Sequence, residues 1–89
     1  MTELVINGSL ISDKDALHDL MARELALPEW YGRNLDALFD CLTDMTEDLA
    51  ISLIDAPALE ANLGRYGVGF QKMLKDAAAE NPHIHVTIQ

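Results

Sequence analysis

Three aspartates, Asp36, Asp40 and Asp44, recur every fourth residue inside the segment ELALPEWYGRNLDALFDCLTD, residues 24–44. Asn34 is a good N-cap for a helix beginning at Leu35, because its short side chain can accept from backbone N–H groups two or three residues on. At about 100° per residue, Leu35, Leu38, Phe39, Cys41, Leu42 and Met45 then share one arc, and the aspartates share another. Like charges four apart on a helix cost a few tenths of a kcal/mol per pair, and no Lys or Arg between Asp36 and Asp48 offsets them. The helix dipole favours Asp36 in the first turn; Asp40 and Asp44 have no such support. The stripe is either an ordinary solvated helix face or a surface held ready for a cationic partner. Just ahead of it, Pro28-Glu29-Trp30-Tyr31-Gly32-Arg33 sets two adjacent large aromatics between Pro and Gly. Neighbouring aromatics do not easily point into one core, so one or both lid the core, or one stands exposed as an interface anchor. Loop and helix together have the composition of a docking surface for a cationic protein.

Other chemistries fit the chain poorly. Three carboxylates on one helix face offer no octahedral cage for Mg²⁺ or Ca²⁺, and no Gly-bearing calcium loop is present, so no metal site is expected. His83 and His85 fall on one side of a terminal strand, but no Cys or carboxylate with zinc spacing accompanies them; solvated strand histidines are expected. His18 follows Leu17 on the first helix and is expected at the surface or partly packed. No nucleophile elbow, phosphate loop or redox Cys pair occurs. The chain is not expected to be an enzyme, and no cofactor is implied.

Charge points to the kind of partner. Fifteen acids against six bases give −9, which makes nucleic acid and anionic membranes poor partners and a basic protein a good one. Residues 29–48 hold six acids and one base, net −5, so the charge gathers where the motif lies. No membrane span or secretory signal is visible, and the lone Cys41 suits a reducing compartment, so a cytoplasmic location is expected. Cys41 lies on the apolar arc and is expected to be a buried, inert thiol.

The elements that must hold the motif follow from pattern. Leu4–Ile6 reads as a strand ending at the Asn7-Gly8 turn. A helix starts from Ser12, whose spacing to Asp15 resembles a capping box, with Leu17, Leu20, Met21 and Leu25 on one face. The motif helix comes next, and Leu49–Ile54 is a second strand. Pro57–Leu63 is a short helix with Gly64 after it, and Val68–Glu80 a longer one stopped before Pro82. His83–Ile88 is the last strand. Strands separated by helices imply right-handed crossovers and a parallel sheet covered by helices. The expected fold is therefore a small three-stranded α/β domain spanning residues 1–89, with no repeat or linker to suggest a second domain.

The motif EL-x-LP-x-W-YG-x-NLDAL-x-DCLT also resembles the signature of the barstar family, intracellular inhibitors of ribonucleases. LVING near the N-terminus, the Leu17-His18 pair and the closing apolar strand extend the resemblance over almost the whole chain. It implies three parallel strands with four helices, a monomer when free, and a 1:1 complex with a small basic, barnase-like extracellular ribonuclease. In that complex a carboxylate stripe and an aromatic loop occlude the enzyme's phosphate-binding cleft. By the resemblance, Asp40 is the principal carboxylate entering the phosphate site and Asp36 its helical neighbour. Trp30, Tyr31, Gly32, Asn34, Leu35, Phe39 and Thr43 fall at further contact positions, Asp76 at an outlying acidic one, and Glu47 is a weaker candidate. Trp30 stands where the family usually has Tyr, Phe39 where it has Trp, and Asp44-Met45 where it has Gly-Trp. These departures mark Asp44 as a candidate specificity element. The alternative is an acidic protein-binding module for a different basic target, a DNA mimic or an immunity partner for a toxin of another fold, which would spread its charge over the surface.

Overall fold

The computed structural model describes residues 1–89. Strand β1 (Thr2–Asn7) leads through a 3-10 turn at Gly8–Leu10 to helices α1 (Lys14–Glu24) and α2 (Leu35–Thr43). Strand β2 (Leu49–Ile54) is followed by α3 (Ala56–Leu63), α4 (Arg65–Glu80) and β3 (Ile84–Ile88). The strands form one parallel sheet in the order β1-β2-β3. Both crossovers therefore advance in the same direction, and two right-handed crossovers of that kind put their helices on the same face. Burial follows. In the register Leu4–Ile51–Val86 and Ile6–Leu53–Ile88 the side chains are buried or packed against the core. In the alternate rows Glu3, Val5, His85 and Thr87 are exposed. The expected helical cover is thus one-sided, and the other face of the sheet is open.

One cluster of 18 buried apolar residues joins this inner face to the helices, with Phe70, Leu17, Leu38, Leu42 and Leu74 at its centre. Apolar burial contributes about 25 cal/mol per Å² removed from water, so this cluster is the main term holding the helices down.

Element ends differ from expectation where a local hydrogen bond decides them. α1 is capped by Asp13, not Ser12: the Asp13 carboxylate accepts from the Ala16 N–H at 2.8 Å. α4 begins at Arg65, three residues ahead of the expected Val68, because Gly64 at φ 60° ends α3 and starts α4 with no intervening linker. Glycine adopts that left-handed conformation at little cost. β3 begins at Ile84, which leaves His83 outside the strand.

Candidate functional site

Helix α2 starts where its cap requires. The Asn34 side chain accepts from the Ala37 N–H at 2.7 Å, and its amide group donates to the Gly32 carbonyl at 3.2 Å. Asn34 is thereby committed to shaping the loop–helix junction. Leu38 and Leu42 are fully buried, while Leu35, Phe39, Cys41 and Met45 are half-buried against the core. The arc of Asp36, Asp40 and Asp44 is exposed. None of the three makes an ion pair; the ion pairs are Arg23–Glu24, Arg33–Asp19, Lys72–Asp76, and Asp48 with His83 and His85. The stripe is a row of counter-ion-free carboxylates.

Two of those acids oppose the helix dipole. No basic residue occupies the last turn of α2, and Asp44 is its C-cap, where the dipole favours cations. Asn81 offsets this. Buried in the turn between α4 and β3, its amide donates to the carbonyls of Leu42 at 2.9 Å and Met45 at 3.0 Å, and its oxygen accepts from the His83 N–H at 3.0 Å. Thr43 is turned back on its own helix, its hydroxyl donating to the Phe39 carbonyl at 2.9 Å.

The aromatic loop divides its labour. Tyr31 is 8 % exposed and Trp30 86 % exposed, so one ring lids the core and the other stands in solvent beside α2. Tyr31 is held by His18, expected at the surface or partly packed and in fact fully packed, 1 % exposed. The His18 imidazole bonds the Tyr31 hydroxyl through Nδ1 at 2.6 Å and the Tyr66 hydroxyl through Nε2 at 2.5 Å. A neutral ring has one donor and one acceptor nitrogen, so one tyrosine accepts and the other donates. Burial pushes the His18 pKa below its ordinary 6.5, with Arg33 adding to the effect, and pushes the Tyr31 hydroxyl up to about 12. Arg33, at φ 54°, donates to the Asp15 carbonyl at 3.1 Å and pairs with Asp19 at 2.8 Å. The only base of the acidic segment is thus turned onto α1, away from the stripe.

Beside the stripe, α2 and α4 enclose an open groove of about 360 Å³ lined by Leu35, Asp36, Phe39, Gly69, Lys72, Met73 and Asp76. Gly69 permits this approach, since a Cβ there would meet Leu35 Cδ1 at 3.3 Å. Asp76 is already engaged, by Lys72 Nζ at 3.0 Å. Glu47 lies elsewhere, lining a separate cavity with Glu24, Leu25 and Leu49 at the C-terminal ends of α1 and α2.

The structure brings Trp30, Gly32, Asn34, Leu35, Asp36, Phe39, Asp40, Thr43 and Asp44 onto the loop and α2, places Tyr31 beneath them, and sets Asp76 across the groove. Cys41 is only half-buried, yet burial, Asp40 and Asp44 all raise its pKa and keep the thiol protonated. His83 donates through Nδ1 to the Asp48 carboxylate at 2.9 Å and holds that carboxyl below its usual range. Asn81, Tyr66 and Lys72 are the positions that sequence reasoning missed. Pro82 signalled a helix stop and Asn81 carried no signal of its own, and the reach of Asn81 back to α2 spans 39 residues.

Across residues 1–89 the chain matches the family model described as Barstar (barnase inhibitor). The chain belongs to the barstar family. It is also 35 % identical over 82 residues to a Bacillus subtilis (strain 168) protein named "Putative ribonuclease inhibitor YrdF", covering 90 % of this chain and 89 % of that one. In this barstar-family chain, then, the carboxylate stripe lies on α2, the outward Trp30 on the loop that leads into it, and the groove between α2 and α4, where Asp36 belongs to both stripe and groove.

Two outcomes check how that face is held. Asn81→Ala removes the buried side-chain donor from the carbonyls of Leu42, in the last turn of α2, and Met45, just beyond it, and should lower stability by about 1–3 kcal/mol, with faster amide exchange in the last turn of α2; urea unfolding and hydrogen exchange read both, and unchanged exchange in that turn would contradict the role. His18 has a lowered folded pKa, so between that value and 6.5 the unfolded chain binds more protons and stability rises with pH. Its contribution is complete above pH 6.5 and is lost as pH falls through the folded value. Urea midpoints between pH 8 and pH 5 should show this slope in the wild type and a flatter one in His18→Gln; equal slopes would refute it.

Proposed function

We propose that this protein inhibits a small basic, barnase-like ribonuclease by docking its α2 face and aromatic loop into the enzyme's active-site cleft. The observation that carries the reading is the row Asp36, Asp40 and Asp44, exposed and without counter-ions on a capped and anchored helix of a barstar-family chain. A ribonuclease cleft must carry cationic side chains to hold a phosphodiester, and a preorganised carboxylate meets them with charge-assisted hydrogen bonds. Asp40, in the middle of the row, is the phosphate mimic, and Asp36 and Asp44 flank it. Trp30 supplies apolar area at the rim, Leu35 and Phe39 pack beside the acids, and Gly32 and Asn34 set the loop's approach. Thr43 completes the contact face, Tyr31 supports it from beneath, Asp76 lies at its margin across the groove, and Glu47, on a separate cavity, falls outside it.

Inhibition on this reading is occlusion, with no bond made or broken in the inhibitor. The protein acts as a single unit over residues 1–89, monomeric when free and 1:1 in the complex, in the cytoplasm, where it protects the cell that makes the enzyme. It is an inhibitor and not a catalyst, and it needs no cofactor.

Asp40→Ala should leave the fold intact, because the side chain is exposed and takes part in no ion pair. It should weaken inhibition by about 2–5 kcal/mol, the general cost of stripping one partner from a buried charge pair, a class that includes the barnase–barstar complex. Inhibition assays against the organism's own small basic ribonuclease measure this, and wild-type potency in the variant would remove Asp40 from its assigned role. With −5 collected in residues 29–48, association should also slow steeply as salt rises, while dissociation changes little. Stopped-flow rates from low salt to about 0.5 M check it; a flat association rate would mean that the stripe does not steer.

A further inference from the structure

The groove of the docking face is lined by one cation, and its position is informative. Lys72 lines the groove between α2 and α4 together with Asp36 and Phe39, its side chain 78 % exposed and its Nζ on Asp76 at 3.0 Å. Stability does not account for it. An exposed pair four apart on a helix contributes little, and Lys preceding Asp is the less favourable order, with Asp76 toward the helix end that disfavours acids. Asp76 in turn is not a free anion for a basic partner, since Lys72 already occupies it.

The face is therefore of two kinds: purely anionic along α2, dipolar along α4. Resting on the inhibitor reading, we infer that Lys72 is a specificity-determining residue that selects a ribonuclease carrying a carboxylate on the rim of its basic cleft, opposite α4. An ammonium has three N–H donors, and Asp76 is the one side chain that engages Lys72. Docking would shut the groove and strip water from the remaining donors. An acceptor on the enzyme compensates that loss, and a carboxylate does so best. A ribonuclease with Lys or Arg at the same place meets a like charge and gains nothing from the masked Asp76, so Lys72 rejects it.

The test compares wild type with Lys72→Gln and Lys72→Glu against the organism's own small basic ribonuclease, with Asp40→Ala alongside and thermal unfolding to show that each variant is folded. Electrostatic steering alone would have Lys72→Glu, which takes the net charge from −9 to −11 (a change of two), associate faster and bind more tightly. The inference expects the opposite in affinity: a several-fold weaker Kd for Lys72→Gln and at least a tenfold weaker one for Lys72→Glu, both through faster dissociation. Equal or tighter binding by Lys72→Glu, with Asp40→Ala still impaired, overturns the inference and leaves the inhibitor reading standing. If Asp40→Ala inhibits as well as wild type, the inhibitor reading falls and takes this inference with it.

Discussion

One buried imidazole fixes the working face of this protein. His18 bridges Tyr31 and Tyr66 and so ties the aromatic loop to α1 and α4 at a single point. That loop needs tying: Ala26 and Arg33 both hold positive φ, at 51° and 54°, a conformation that costs a non-glycine residue on the order of 1 kcal/mol. The His18 bridge, with the Arg33 contacts to Asp15 and Asp19, keeps the strained segment in place. Because Tyr31 is drawn inward, its neighbour Trp30 is turned out. The exposed aromatic is thus a consequence of the buried one.

The same logic governs α2. Its sequence sets acids where the helix dipole disfavours them and supplies no base to compensate, so the helix is less stable alone than a neutral equivalent. Its apolar side, with Leu38 and Leu42 fully buried, and the Asn81 amide on its last carbonyls supply what the polar side lacks. Carboxylates held without counter-ions by a rigid frame need little reorganisation when a cationic cleft approaches, which is what a preorganised anion contributes to binding. Local instability at the face and tight anchoring behind it are two parts of one arrangement.

Much of this was legible in the chain. The three strands and the helices between them, the Asn34 cap and the two arcs of α2 follow from period and short-range chemistry, which residues a few positions apart decide. What stayed hidden depends on distance in sequence. His18 read as a surface or partly packed residue because helical spacing says nothing of two tyrosines 13 and 48 residues away. Asn81 carried no sequence signal because its acceptors lie 36 and 39 residues back. The choice of Asp13 over Ser12 as cap was a competition between adjacent oxygens that composition does not resolve. The one-sided cover of the sheet was implicit in the strand order, once two successive crossovers are seen to advance the same way. Residue types showed that an acidic, aromatic face existed; only the fold showed what turns it outward.

The most direct measurement is a hydrogen-exchange footprint of the protein mixed with the organism's own small basic ribonuclease. New protection should fall on residues 28–34, on α2, and on the part of α4 that lines the groove, with the open face of the sheet and the His83–Asp48 end unchanged. Protection concentrated on the sheet face or at β3, with α2 exchanging as in the free protein, would contradict the account.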